Sequence, residues 1–402
     1  MSLPPVALLT YSVKPRGGVV HTLHLAEALH AAGYPVRVVA LGDPAEGFFR
    51  PVRAPVSIVP APPHRPTLEE RVFASVDTLA EALPGLAVGY PLLHAQDCIS
   101  ARAACRVRDA SGGAAPLVIR TVHHVDDFTT QALIDCQRLA ISEPDMVLVV
   151  SDQWRRILEA DYGVSATVVR NGVGVCRFQS ADRRLAASLR ESIGAAGRPL
   201  ILTVGGIEPR KGSDTLVRAI ALMRDGGLDP ILAVVGGHSF QDYRAYRERV
   251  FSLLPELGLE HGRDIAMLGT VADAELPSWY AAANVFAFPS TKEGWGLAVL
   301  EAMSTGLPVV TSDLPVFREY LAPGRDALLV PVDSPAALAG ALTSVLGDQQ
   351  LAERLRAAGR TVAARFTWEA TAAEHKTVYT ALGRARGRAS GLWASDVWIV
   401  RN

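Results

Sequence analysis

Four short stretches carry residue types that could do chemistry on a charged, hydroxyl-rich substrate. The densest is PSTKEGWGLAVLEAMSTGLPVVTSD, from Pro289 to Asp313. A strand ending at Pro289 would lead into a polar loop with Glu293, Gly294 and Gly296. A helix opening at Leu297 would then present free amides beside a loop that lacks bulky side chains. Such amides can cradle a diphosphate. Glu301, read as two turns into that helix, could accept hydrogen bonds from ribose hydroxyls, and Glu293 could do the same for sugar hydroxyls. The plainer alternative is that both glutamates are solvated, as glutamates mostly are, and that the glycines only shape turns.

The second stretch is ILTVGGIEPRKGSDTLVRAI, from Ile201 to Ile220. A strand would deliver Gly205, Gly206, Arg210, Lys211 and Gly212 to a sheet edge before the next helix. Arg210 and Lys211 could pair with a departing diphosphate and stabilise charge as a bond to it breaks. The pattern is neither a Walker loop nor a dinucleotide fingerprint. Alternatively, the two cations are a surface pair ahead of a helix with Asp214 in its first turn.

Two further stretches lie nearer the amino terminus. Lys14, Arg16, Gly17 and Gly18 precede a helix whose amides could face phosphates, although a tight turn needing glycine reads equally well. In VIRTVHHVDDFTT, a strand ending near Thr121 presents His123 and His124. His123 could hydrogen-bond a sugar hydroxyl or orient a second substrate. His94, at another strand end, ranks below it. Asp126 and Asp127 resemble a metal pair, but adjacent aspartates do not make a site, and there is no closely spaced His/Cys cluster.

Strand ends of this kind need a sheet to position them. Val6–Thr10, a glycine loop, a helix over His21–Ala32 and a strand over Val36–Leu41 form a βαβ unit, which predicts a parallel sheet. Further strands are predicted at Ser57–Val59, Leu92–His94, Leu117–Thr121 and Met146–Val150, with a proline-rich loop over 61–66. A boundary is predicted near Asn171–Phe178. After it the α/β alternation resumes, with strands at Leu200–Val204, Ile231–Val235, Ile265–Leu268, Val285–Pro289 and Pro308–Thr311. A long helix is predicted to begin near Thr367. Trp393 and Trp398 make the last residues too apolar to read as a floppy tail. The expected fold class is α/β, with ligands at the carboxyl ends of the strands.

The bulk numbers agree. A chain of 402 residues predicts two domains. A formal net charge of −1 excludes a polycation seeking nucleic acid. Four scattered cysteines suggest no disulfide framework and fit a reduced cytoplasm. No stretch approaches the apolar length of a membrane-spanning helix, and peripheral contact with a membrane stays open.

Together these motifs resemble retaining glycosyltransferases of family 4, which have the GT-B fold: two doubly wound, Rossmann-like domains facing each other across a cleft. The resemblance runs through the Gly17–Gly18 loop, HAAGYPVRVV, TVHH, SDQWRRIL, VVRNGVGVCRF, VGGIEPRKG, EGWGLAVLEAMSTGLPVV and ARFTWEATAAEHKTVY. It implies an acceptor-side domain over 1–175, a donor-side domain over 176–370, and a terminal helix and tail over 371–402 crossing back to the first domain. It also implies that Glu293 contacts the transferred sugar, Glu301 the ribose, Lys211 the donor phosphate, Gly17 and Gly18 the phosphates, and His123 the sugar. Asn171 and Gly172 would lie in the interdomain stretch.

The implied donor is a nucleoside-diphosphate sugar, UDP- or GDP-linked, used without cofactor or metal. The implied partner is a small-molecule, glycan or lipid acceptor. In one place the sequence departs from the family pattern. The arginine that usually follows the first glycine of the strand-end loop is Gly206 here, and Arg210 is the candidate substitute from another direction. Rival readings are a nucleotide-sugar epimerase and a catalytically weakened nucleotide-sugar-binding protein. A nicotinamide dehydrogenase is weaker still, because the first glycine loop lacks the full fingerprint.

Overall fold

The computed structural model describes residues 3–112, 115–237, 240–241 and 243–389. The chain divides into two compact units. One is built from Met1–Gly172 together with Trp368–Asn402, and the other from Val173–Thr367.

In the first unit, strands and helices alternate: β1 (Val6–Thr10), α1 (Gly17–Ala31), β2 (Val36–Gly42), β3 (Val56–Pro60), α2 (Leu68–Leu86), β4 (Leu92–Ala95), α3 (Cys98–Ala110), β5 (Leu117–Val122), α4 (Gln131–Ser142), β6 (Met146–Val149), α5 (Asp152–Tyr162) and β7 (Thr167–Val168). The second unit holds α6 (Val175–Gln179), α7 (Arg183–Ser192), β8 (Leu200–Val204), α8 (Ser213–Asp225), β9 (Ile231–Val235), α9 (Arg244–Glu256), β10 (Ile265–Gly269), α10 (Leu276–Ala282), β11 (Val285–Phe288), α11 (Leu297–Thr305), β12 (Val309–Ser312), α12 (Pro315–Arg318), β13 (Leu328–Val330), α13 (Pro335–Gly347) and α14 (Gln349–Ala363). The last helix, α15 (Trp368–Ala389), belongs to the first unit.

Both sheets are parallel. The first runs β3-β2-β1-β4-β5-β6-β7 and the second β10-β9-β8-β11-β12-β13. Val6 pairs with Val36 on one side and Leu92 on the other. Helices cover both faces of such a sheet, so its strands are apolar almost throughout. All five residues of β1 and all four of β11 are buried. The strand order reverses at β1/β4 and again at β8/β11, and crevices for ligands open at the carboxyl ends of such strands. Leu8, Val38, Leu92, Ile119 and Leu148 anchor the first core, and α15 adds Tyr379 and Leu382 to it. Ile201, Leu232, Val285 and Val310 anchor the second. Each fully buried aliphatic side chain contributes about 1.5–3 kcal/mol.

The predicted strands are all present, within a residue or so at their ends. The helices differ more. α1 begins at Gly17 rather than His21, so the two glycines form its first turn instead of a loop before it. Helix α2 occupies sequence for which no helix was predicted. It is opened by a capping box in which the Thr67 side chain accepts from Glu70 N and the Glu70 side chain reaches back to Thr67 N. The positions of Trp393 and Trp398 lie outside the described residues. Among the described residues, no helix is long and apolar enough to cross a membrane.

Candidate active site

In the second unit the site begins where β8 ends. The chain passes Gly205 and Gly206, makes a short 3-10 turn over Pro209–Lys211, and enters α8 after Gly212. Gly212 has φ +62°, and a Cβ there would lie 2.1 Å from the Pro289 carbonyl oxygen. Only glycine lets the start of α8 close this tightly on the end of β11. Thr291 N then donates to the Arg210 carbonyl oxygen at 2.8 Å, tying the two loops together.

That closure brings the charged side chains into one cluster. Lys211 Nζ lies 2.5 Å from Glu293 Oε1 and 4.5 Å from the centre of the Phe288 ring. Ser290 Oγ donates to the same Glu293 oxygen at 3.0 Å, and Arg210 Nη1 is 3.5 Å from it. Arg210 Nε is 3.0 Å from Glu208 Oε2. Glu293 is only 8% exposed, so it is not a solvated surface glutamate. Burial alone would raise its pKa, but the Lys211 and Arg210 charges and the Lys211 and Ser290 hydrogen bonds outweigh burial and hold it below the ordinary value. Burial, helped by the Arg210 charge, lowers the pKa of Lys211 despite its contact with Glu293. Two cations packed against an ionised carboxylate at a strand end form a preorganised centre that an anionic oxygen can enter.

The Glu293 loop continues through Gly294 and Trp295 to Gly296, the N-cap of α11. Val299 N and Leu300 N bond back to the Gly296 oxygen, so the amides of Leu297 and Ala298 precede the helical ladder. Trp295 is 2% exposed and packs on Tyr320 and Phe366, with ring centres 4.7 and 5.3 Å away. It is a packed aromatic. Glu301 is the fifth residue of α11, one turn into the helix rather than two. It accepts a 2.8 Å hydrogen bond from the Tyr280 hydroxyl. Burial raises its pKa, against the opposing pull of that bond and of Arg177.

The remaining candidates gather in the first unit. A Cβ on Gly18 would lie 3.6 Å from His123 Cδ2, so the start of α1 and the end of β5 meet there. Gly17 is exposed. The first α-helical bond runs from Val20 N to Arg16 O, which leaves the amides of Gly17, Gly18 and Val19 without helical carbonyls. His123 Nε2 is 3.1 Å from Gln96 Oε1, and its ring meets His21 edge-on at 4.6 Å. Burial holds the His123 pKa well below 6.5, so the ring is neutral and can bond a hydroxyl without carrying charge. His94 is a core residue. Its Nδ1 is 2.7 Å from the Tyr379 hydroxyl and its Nε2 is 2.7 Å from Thr121 Oγ1. His124 pairs with Asp126 at 3.4 Å, while Asp127 is exposed. Among the described residues, no group of three or more His, Cys, Asp or Glu side chains could hold a metal ion.

Sequence reasoning passed over Glu208, Ser290, Tyr280, Gln96 and His21. Glu208 lies in the same motif as Arg210 and Lys211, and Ser290 in the same motif as Glu293. Tyr280 sits 21 residues from Glu301, and no local pattern joins the two.

Known proteins align with both halves of the chain. The family model for glycosyl transferases group 1 matches residues 186–362, and that for glycosyltransferase family 4 matches residues 15–176. A phosphatidyl-myo-inositol mannosyltransferase of Mycobacterium leprae is 30% identical over 378 residues, covering 92% of this chain and 94% of that protein. A D-inositol 3-phosphate glycosyltransferase of Jonesia denitrificans is 34% identical over 219 residues, covering 53% of this chain and 50% of that protein. The chain thus spans about half the length of the first curated relatives it matches, and nearly all of the mycobacterial one. Among solved structures, sucrose-phosphate synthase from Thermosynechococcus elongatus superposes with a TM-score of 0.79 at 26% identity, covering 95% of this chain and 99% of that one. Anabaena HepE in complex with UDP-glucose superposes with a TM-score of 0.76 at 20% identity, covering 93% and 99%, a likeness of fold.

Proposed function

The chain belongs to the family 4 glycosyltransferases, and from that membership we propose that it transfers a sugar from a UDP- or GDP-linked donor to an acceptor hydroxyl with retention of configuration. The observation that carries this reading is the convergence of Lys211, Arg210 and Glu293 at the adjoining ends of β8 and β11.

In the proposed reaction the acceptor oxygen bonds to the anomeric carbon while the carbon–oxygen bond to the diphosphate breaks. The electron pair of the broken bond goes to the phosphate oxygen, which takes up the acceptor proton. Negative charge grows on the leaving group, and Lys211, Arg210 and the first amides of α11 stabilise it. Glu293, held by Ser290 and Lys211, accepts hydrogen bonds from the sugar. Glu301, steadied by Tyr280, accepts them from the ribose. In the first unit, neutral His123 can bond a hydroxyl, and the amides of Gly17 and Gly18 can meet an anion. Cations and amides supply the charge stabilisation, so the proposed chemistry needs no metal. All four cysteines are free thiols, which fits a reducing cytoplasm. A lipid acceptor would be met at the inner face of the membrane.

The test is incubation of the protein with UDP-, GDP-, ADP- and TDP-sugars and an acceptor panel of polyols, glycans and lipid headgroups. Mass spectrometry follows donor loss, nucleotide release and product. Selective turnover that is lost in Lys211→Ala, Glu293→Ala and Glu301→Ala supports the reading. Release of a free epimerised sugar nucleotide would replace it with an epimerase. Failure to bind any donor would sink it.

A further inference from the structure

Glu208 belongs to the cation cluster, yet the proposed chemistry gives it no task. The residue is 7% exposed. Oε2 lies 3.0 Å from Arg210 Nε, and its carbonyl oxygen accepts from Lys211 N at 3.0 Å. A buried carboxylate beside a diphosphate site repels the ligand, and its own desolvation is costly. Its presence there calls for a compensating purpose.

The neighbouring backbone supplies one. A Cβ on Gly206 would lie 2.5 Å from the Gly237 carbonyl oxygen and 3.5 Å from Glu208 Oε1. The Gly237 contact is with backbone, so no side chain can leave the strand end at position 206 unless the adjoining strand end moves. Any cation beside Lys211 therefore reaches the centre from elsewhere. Arg210 comes from the 3-10 turn, and its guanidinium is held on two sides, by Glu208 at Nε and by Glu293 at Nη1, 3.5 Å away. A planar guanidinium fixed at Nε has its terminal nitrogens aimed, which a lysine ammonium cannot match.

We infer that Glu208 is a positioning residue. It grips Arg210 by Nε so that the Nη1 side turns toward Glu293, making Arg210 the second diphosphate cation of a strand end that has no room for one at Gly206. The inference rests on the reading of this centre as a diphosphate site.

The test is calorimetric titration of the full chain with inorganic pyrophosphate, alongside turnover of whichever donor the panel selects. Arg210→Ala is expected to weaken pyrophosphate binding about tenfold, the worth of a charge-assisted hydrogen bond. Glu208→Ala is expected to weaken it about threefold or more, even though it removes a repelling charge, and the double variant to bind no worse than Arg210→Ala alone. Glu208→Gln keeps an oxygen within reach of Nε and is expected to stay within about twofold of the parent.

Tighter binding by Glu208→Ala, or losses that multiply in the double variant, would overturn the inference. If Glu208→Ala does not fold, Arg210→Lys decides. It keeps the charge but lacks Nε, and parent-like binding would overturn the inference. A parent protein that binds neither pyrophosphate nor a nucleoside diphosphate would sink the reading of the site and the inference with it.

Discussion

Lys211 and Glu293 are 82 residues apart in sequence, and their side chains meet at 2.5 Å. Neither charge is fully solvated, so removing Lys211 leaves Glu293 with Ser290 and the more distant Arg210. Lys211→Ala should lower kcat/KM about a hundredfold or more, comparable to losing one oxyanion donor. It should also destabilise the second unit, because breaking a buried ion pair costs about 3–5 kcal/mol. Steady-state kinetics and urea unfolding read the two effects separately. Parent-like kinetics would remove Lys211 from the mechanism.

Tyr280→Phe deletes the hydroxyl that holds Glu301 and little else. It should weaken binding of a nucleoside diphosphate about threefold to tenfold while leaving pyrophosphate binding unchanged. Equal losses for both ligands would show that Tyr280 supports α11 as a whole and not a ribose contact.

Gly212→Ala places a Cβ against the Pro289 carbonyl in a left-handed backbone conformation. The cost should exceed about 2 kcal/mol, visible as a lowered denaturant midpoint. Because Arg210 O and Thr291 N are joined beside it, donor binding should fall in step. A stable Gly212→Ala protein with intact binding would contradict the loop closure.

Acid should weaken the first unit. Burial holds His21, His94 and His123 well below the ordinary value of 6.5, and His375 at about 4. In the interval between those values and 6.5, the unfolded chain binds protons that the folded chain does not. Stability is therefore full above about pH 6.5 and falls as pH drops toward about 4. Asp97, its pKa raised by burial, pulls the other way, but it is one acid against four imidazoles. Melting curves from about pH 7 to about pH 4.5 should show the decline, and His94→Asn should flatten it. A melting temperature that does not change over that range would refute the buried-neutral assignment.

The sheets were legible because their strands are short, apolar and punctuated by glycine, proline or polar loops, as in VALLT and ILAVV. The start of α1 was not. Glycine lowers helix propensity, so the pattern suggested a helix from His21, whereas the helix begins at Gly17, with Val19 buried in its first turn. The α2 signal was present in Thr67 and Glu70, a capping box written in four residues. In the site, Lys211 and Glu293 stood out by motif. Other relationships there did not, because Tyr280–Glu301 and the Gly206–Gly237 approach depend on which elements lie side by side. His94 and His123 look alike in sequence, each at a strand end. Only packing separates the histidine locked between Tyr379 and Thr121 from the one beside Gly18.

The first unit is written in two pieces, and this sets an order of events on the ribosome. Residues 1–172 emerge early, but Trp368, which stacks on His24, and Tyr379, which bonds His94, are translated only after all of Val173–Thr367. Every residue of the continuous unit is therefore joined before the closing helix of the split one is made. A chain cut before α15 would hold every residue of the second unit, while the first unit would lack the Trp368 ring on His24 and the Tyr379 hydroxyl on His94.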